Sequence, residues 1–254
     1  LKAIPGSGAR FLALHGFAGS GADFAILSRH LGGRWHCPDL PGHGCRAGAA
    51  AEDFALRNVA PALFAVARPP LVGIGYSMGA RILLHLALGE PDRFLRLVLI
   101  GGSPGITAED ERHARVEADA RWIALLENEG IPAFLDEWHR QPVLRTARPK
   151  DPAELRAFLD RRRQNDPGGL ARSLKFHGTG ALPPLWDRLP ELRLPVLFCV
   201  GGNDEKFIRI AEEMRESLPT SSMASIVAAG HAPHWEKPCE TAQAIRNFLA
   251  GGPA

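Results

Sequence analysis

The sequence predicts an α/β fold: a mostly parallel central sheet flanked by helices, with a helical lid inserted late in the chain. Three observations predict it. Short, almost wholly apolar runs alternate with helix-like stretches, as parallel strands covered on both faces require. One of these runs passes through Gly75-Tyr76-Ser77-Met78-Gly79 directly into a helix-like segment, giving strand, G-x-S-x-G turn and helix in that order. The rhythm then breaks between about residues 103 and 190, where the chain becomes helical and rich in charge.

Taken in order, Phe11-Leu12-Ala13-Leu14 reads as a buried strand ending at His15-Gly16. A weaker strand over 35–39 ends at the turn Pro41-Gly42-His43-Gly44. Residues 53–67 form a helical stretch suited to a right-handed crossover. The run 71–75 is the strand before Ser77, and 81–88 is the helix after it. Leu97-Val98-Leu99-Ile100 is the next strand, closed by Gly101-Gly102. In the inserted segment, 108–129 has helical periodicity, with Arg115, Asp119, Trp122 and Leu126 on one stripe. Helices over 131–140 and 152–163 follow, each with proline near its start. Strands over 195–200 and 224–227 complete the sheet. The expected division is a core of residues 1–102 and 191–254, with a lid of residues 103–190 over the C-terminal strand ends, where open α/β sheets bind ligands.

Composition narrows the function classes. The chain is 45% hydrophobic and 23% charged, the balance of a globular protein. A formal charge of +2 gives no reason to expect nucleic acid. No apolar run approaches the roughly 20 residues that cross a bilayer, and no signal-peptide pattern stands at the N-terminus. A cytoplasmic location without a membrane is expected. Cys37, Cys45, Cys199 and Cys239 form no C-x-x-C pair, so reduced thiols are expected, not a metal site. No glycine-rich dinucleotide loop and no metal-ligand spacing occur, so neither cofactor nor metal is implied. Nothing implies an obligate protein partner. Five lysines stand against 25 arginines. A GC-rich coding bias accounts for that blandly; guanidinium clamps on carboxylates account for it more sharply.

The chemistry starts at Ser77. Its turn is so tight that small neighbours are needed, and Gly73, Gly75, Gly79 and Ala80 supply them. A serine needs an imidazole to take its proton and a carboxylate to orient the imidazole. Asp204, in Gly201-Gly202-Asn203-Asp204, follows a late strand; His231 follows the last one. Order and placement both suit a Ser-His-Asp triad. The other reading of Asp204 is a helix cap before Glu205. An oxyanion hole needs two converging N–H groups, for which Met78 and Phe17 are the candidates. His43 and His234 lie in turn-like strings near the same place and are read as structural or supporting.

With Leu14-His15-Gly16-Phe17, Asp39-Leu40-Pro41-Gly42-His43-Gly44, the serine turn, Asp204 and His231 in place, the chain resembles the α/β-hydrolase superfamily over its full length. More narrowly it resembles the 2-succinyl-6-hydroxy-2,4-cyclohexadiene-1-carboxylate synthases of menaquinone biosynthesis. The strings that carry this include Gly16-Phe17-Ala18-Gly19-Ser20, Gly101-Gly102-Ser103-Pro104-Gly105-Ile106, Asp119-Ala120-Arg121-Trp122, Asp136-Glu137-Trp138 with Gln141-Pro142, Gln164-Asn165 and Asp204-Glu205-Lys206-Phe207. The chain departs from that pattern at Cys45-Arg46-Ala47, Met78 and Ala80.

The resemblance implies a lyase that eliminates pyruvate from an anionic enolpyruvyl-cyclohexene substrate carrying several carboxylates. It implies that Ser77, activated by His231 and Asp204, removes a carbon-bound proton. It implies substrate-binding roles for Tyr76, Arg81, Arg115, Trp138 and Arg162. Beside it stand plainer readings: an i,i+4 pair of Arg115 with Asp119, and a solvated helix end for Arg161-Arg162-Arg163. The alternative function is a carboxylesterase or other acyl hydrolase with Ser77 as covalent nucleophile.

Overall fold

A computed structural model describes residues 8–251. Six strands form one sheet: β1 (Arg10–Leu14), β2 (Arg34–His36), β3 (Leu71–Tyr76), β4 (Phe94–Ile100), β5 (Val196–Gly201) and β6 (Ser221–Ile226). Their order is β2-β1-β3-β4-β5-β6 and every neighbouring pair is parallel. The helices are α1 (Ala25–Leu31), α2 (Leu56–Val66), α3 (Met78–Gly89), α4 (Glu109–Trp138), α5 (Pro152–Arg163), α6 (Pro167–His177), α7 (Glu205–Glu216), α8 (Pro233–Glu236) and α9 (Pro238–Leu249).

The continuous apolar runs have the expected cause. Side chains alternate across a strand, and this sheet has a core on each face. Leu12, Leu71, Leu97, Leu99 and Phe198 point to one side, packed with α2, α3 and α7. Phe11, Val72, Ile74, Val98 and Leu197 point to the other, with α1 and α9. Every residue of β3 and β5 is buried. At β1 the order reverses, since β1 has β2 on one side and β3 on the other. Such a switch point opens a crevice at the C-terminal strand ends. Ser77 follows β3 there, and Phe17 follows β1.

Some element boundaries move. The strand expected over 35–39 is β2, ending at His36. The last strand, expected over 224–227, starts earlier, at Ser221. The stretch 53–67 divides into a 3-10 turn, Ala51–Phe54, and α2, because Ala55 between them is extended. The helices expected over 108–129 and 131–140 form one bent element, α4, broken at Gly130, where φ is 78° and ψ −172°. A further helix, α6, stands beyond the three that the sequence predicts in this segment.

The segment between β4 and β5 carries α4, α5 and α6 and has a small core of its own. Leu126, Phe134, Leu170 and Leu174 are buried there, and Phe17 from the β1 loop packs against them. Its entry and exit meet: the Leu185 N–H donates to Pro104 O at 2.8 Å, and the Trp186 indole N–H to Gly105 O at 3.0 Å. No described helix is long and apolar enough to cross a membrane.

Candidate active site

Ser77 sits at φ 50°, ψ −111°, between the end of β3 and the start of α3. A non-glycine residue with positive φ is uncommon and strained. The turn is held by surrounding bonds: the Ser77 N–H donates to Ile100 O at 2.9 Å, and Ser77 O accepts from Ala80 and Arg81. Close approach explains Gly79, since a Cβ there would stand 2.0 Å from Leu14 O. The small residues around Ser77 thus let α3 start directly against β1. The Met78 N–H is the first of α3, one of those without an intrahelical acceptor.

His231 follows β6 and reaches back across the sheet top. Its Nε2 lies 3.2 Å from Ser77 Oγ, and its Nδ1 2.8 Å from Asp204 Oδ2. The carboxylate can only accept, so Nδ1 carries the proton and Nε2 is free to accept from the serine. Asp204 also caps α7, taking the Phe207 N–H on its other oxygen at 3.4 Å. One carboxylate thus meets the imidazole and caps the helix at once. Gly101 makes room for the ring: a Cβ there would lie 2.7 Å from His231 Cε1. Tyr76 and Phe207 pack on the imidazole, with ring centroids at 5.4 Å and 4.4 Å.

Ser77 and His231 open into a pocket roofed by the inserted helices, and Phe17, Met78, Arg81, Arg115 and Trp138 line it. Arg81 is buried on α3. Burial, with the nearby Arg115, lowers its guanidinium to about 10, so it stays charged at neutral pH. One of its nitrogens donates to His177 O at 3.1 Å, while Nε has no partner among the described residues. Arg115 bonds Asp119 through Nε at 2.9 Å and keeps a side chain 35% exposed. So the i,i+4 pair exists, and Arg115 still faces the pocket. Burial raises the Asp119 carboxyl despite Arg115 and Arg81. Trp138 belongs to an aromatic cluster with Phe17, Trp122 and Phe134.

Two expected substrate-binding residues stand elsewhere. Tyr76 does not line the pocket; its ring is buried between His234 at 4.5 Å and Trp235 at 5.0 Å, and burial pushes its hydroxyl pKa up. Arg162 is turned away from the pocket, 4% exposed, and pairs with Asp23, itself 1% exposed. It donates to both Asp23 oxygens, at 3.3 Å and 3.0 Å, and lies over the Phe158 ring. Burial alone would raise the Asp23 carboxyl, but Arg162 and neighbouring cations outweigh it and hold it below the ordinary carboxylate range. The physical reason for the correction is that a buried carboxylate has already taken this guanidinium. Arg163 points outward to Asp160.

The Asp23 contact ties α5 to the loop after β1. Asn165, just past α5, donates to Ala18 O at 3.0 Å in the same loop. From below, His43 Nε2 accepts the Ala18 N–H at 3.1 Å, while its Nδ1 faces Pro41 O. His15 accepts the Leu40 N–H at 2.9 Å. Both imidazoles are lowered by burial and held neutral as acceptors. His43 is thus a supporting residue, as read; the part played by His15 and Asp23 was not foreseen. The pocket also takes Gln141, His177, Thr179 and Lys206. Gln141 and Lys206 lie in strings that resemble the synthase family. His177 ends α6, a helix that the apolar periodicity does not mark out.

The α/β hydrolase family model matches residues 11–244. The chain is 31% identical to 2-succinyl-6-hydroxy-2,4-cyclohexadiene-1-carboxylate synthase of Pectobacterium atrosepticum, over 93% of this chain and 92% of that one. The solved structure of MenH from S. aureus superposes with a TM-score of 0.87 at 28% identity, covering 98% of this chain and 96% of that one. A thermophilic esterase from Thermogutta terrifontis superposes less well, with a TM-score of 0.72 at 25% identity, over 96% of this chain and 90% of that one.

Proposed function

Since the chain belongs to the α/β hydrolase family, and within it to the 2-succinyl-6-hydroxy-2,4-cyclohexadiene-1-carboxylate synthases, we propose that this enzyme is a lyase that releases pyruvate from an enolpyruvyl-cyclohexene polycarboxylate. The observation that carries the reading is the pairing of a serine-histidine-aspartate chain with two guanidinium groups in one pocket. Buried arginine without an anion is costly, and among the described residues Arg81 Nε has no partner and no carboxylate pairs with the group. A neutral ester would leave it so.

Ser77 passes its hydroxyl proton to His231 Nε2, and Asp204 stabilises the imidazolium through Nδ1. The serine oxygen then takes the carbon-bound proton next to the succinyl carbonyl. The freed electron pair moves into the ring, the ring-carbon bond to the enolpyruvyl oxygen breaks, and the leaving enolate becomes pyruvate on protonation. The N–H groups of Phe17 and Met78 face the carbonyl oxygen as it gains charge. Preorganised donors of this kind are worth about 10²–10³ each in rate. Arg81 and Arg115 hold substrate carboxylates, and Trp138 packs on the ring. The helical insertion acts as a lid, keeping water from the enolate. No covalent serine intermediate is needed.

The test offers purified enzyme the enolpyruvyl substrate, following pyruvate and diene absorbance beside hydrolysis of an aryl ester. The lyase reading expects pyruvate release, a loss of about 10²–10⁴ or more in Ser77→Ala, and no mass adduct on Ser77. Fast ester turnover with an acyl adduct and no pyruvate would establish the acyl hydrolase instead.

A further inference from the structure

Carboxylates outnumber the guanidinium groups in the pocket. The proposed product carries two, on the ring and at the end of the succinyl chain, and departing pyruvate carries a third. The resemblance supplied three arginines, but Arg162 is committed to Asp23 behind the pocket wall. Arg81 and Arg115 remain, and one of these already shares its charge with Asp119.

Lys206 lines the same pocket at its exposed side. It makes no ion pair with a carboxylate among the described residues, unlike its neighbours on α7, Glu205 and Arg209, which face each other. Its ammonium lies 5.8 Å from the Phe207 ring centroid, and Phe207 packs on the His231 imidazole. Phe207 is thus a neighbour that the cation and the histidine share. The position is locally unfavourable. Lys206 stands in the first turn of α7, where the helix dipole disfavours a cation, and among the described residues no carboxylate pairs with it to offset that. A charge held against local preference at the edge of an anion-binding pocket has its compensation in the ligand.

We propose that Lys206 is the third carboxylate-binding cation of this site, taking the substrate carboxylate that lies nearest the pocket mouth. The assignment rests on the lyase reading and deepens it. The ammonium contributes to recognition of the substrate and not to the proton transfer, so it acts on binding.

Two measurements test it. In turnover, Lys206→Gln is expected to raise KM about 5- to 30-fold with kcat within about twofold, and to flatten the rise of KM with salt. Lys206→Arg restores most of the loss. In binding, the enolpyruvyl substrate is titrated calorimetrically into Ser77→Ala and into the Ser77→Ala, Lys206→Gln double variant; the second binds more weakly by the same factor. The melting temperature of Lys206→Gln is expected to hold or rise slightly, because the cation at the helix start is gone; a purely structural role predicts a fall. Equal affinity in the two proteins, or a loss confined to kcat, overturns the role of Lys206 alone. No binding to Ser77→Ala and no pyruvate from the wild type overturn the lyase reading, and this assignment with it.

Discussion

Arg162 offers its donors to both oxygens of Asp23 and lays its plane over Phe158, which leaves it little for a ligand. Such a pair is costly to assemble in a dry interior and costlier to break, because removing one partner strands the other charge. We expect Arg162→Ala to destabilise the fold by about 3–5 kcal/mol in denaturant unfolding. Adding Asp23→Leu should recover much of that, whereas a residue that served only the substrate would leave unfolding unchanged. The sequence exposed the arginine but not its partner, which lies 139 residues away. Spacing rules reach i,i+4 and no further, so Arg115 with Asp119 was legible and Arg162 with Asp23 was not. Ser77, Asp204 and His231 were legible because each follows a strand whose end can be seen in the sequence.

At the scale of elements, the strands were the readable part. Runs such as Leu97-Val98-Leu99-Ile100 are apolar because both faces of the sheet are covered, and their glycine ends mark the turns. The helix α6 was hidden by Pro167-Gly168-Gly169, which dilutes helix propensity. Its signals were present all the same: Asp166 caps it, taking the Gly169 N–H at 2.6 Å, and Leu170 and Leu174 are buried four residues apart. The bend in α4 was visible as a gap between two periodic stretches, and Gly130 fills it. The end of β4 yields a prediction of its own. Gly101 has φ +55° and no room for a Cβ beside the His231 ring. Gly101→Ala is therefore expected to shift the imidazole by a good fraction of an ångström. A displacement on that scale costs about 10² in rate, read as kcat with circular dichroism unchanged.

The whole molecule keeps several imidazoles neutral. Burial lowers His85, His139 and His177 each to about 4 and His234 to about 3. In the unfolded chain they titrate near 6.5. Between those values the unfolded chain binds more protons, so stability is greatest above about pH 6.5 and declines as the pH falls toward 4. Asp23 acts later: its depressed carboxyl stabilises the fold above the ordinary carboxylate range, and that contribution goes only as the pH drops through its lowered value. A melting temperature that falls by several degrees between pH 7 and 4.5 is the expected result by calorimetry; a flat profile would mean that these imidazoles are protonated in the fold.

The excursion from β4 to β5 leaves and returns through a neck closed by two hydrogen bonds, Leu185 to Pro104 and Trp186 to Gly105. To the sheet it is a loop of almost no span. Its length can change there without moving the strands, provided that the contacts of Arg162 with Asp23 and of Asn165 with Ala18 are kept or replaced. The hydrogen-bonded chain of Ser77, His231 and Asp204 is built below that neck, and Arg115 and Trp138 above it. The pocket is thus walled from both sides of the junction, with Arg81 and Lys206 on the sheet's own elements and Arg115 and Trp138 on the excursion. A different excursion set on this junction would replace one wall of the pocket and leave the other in place.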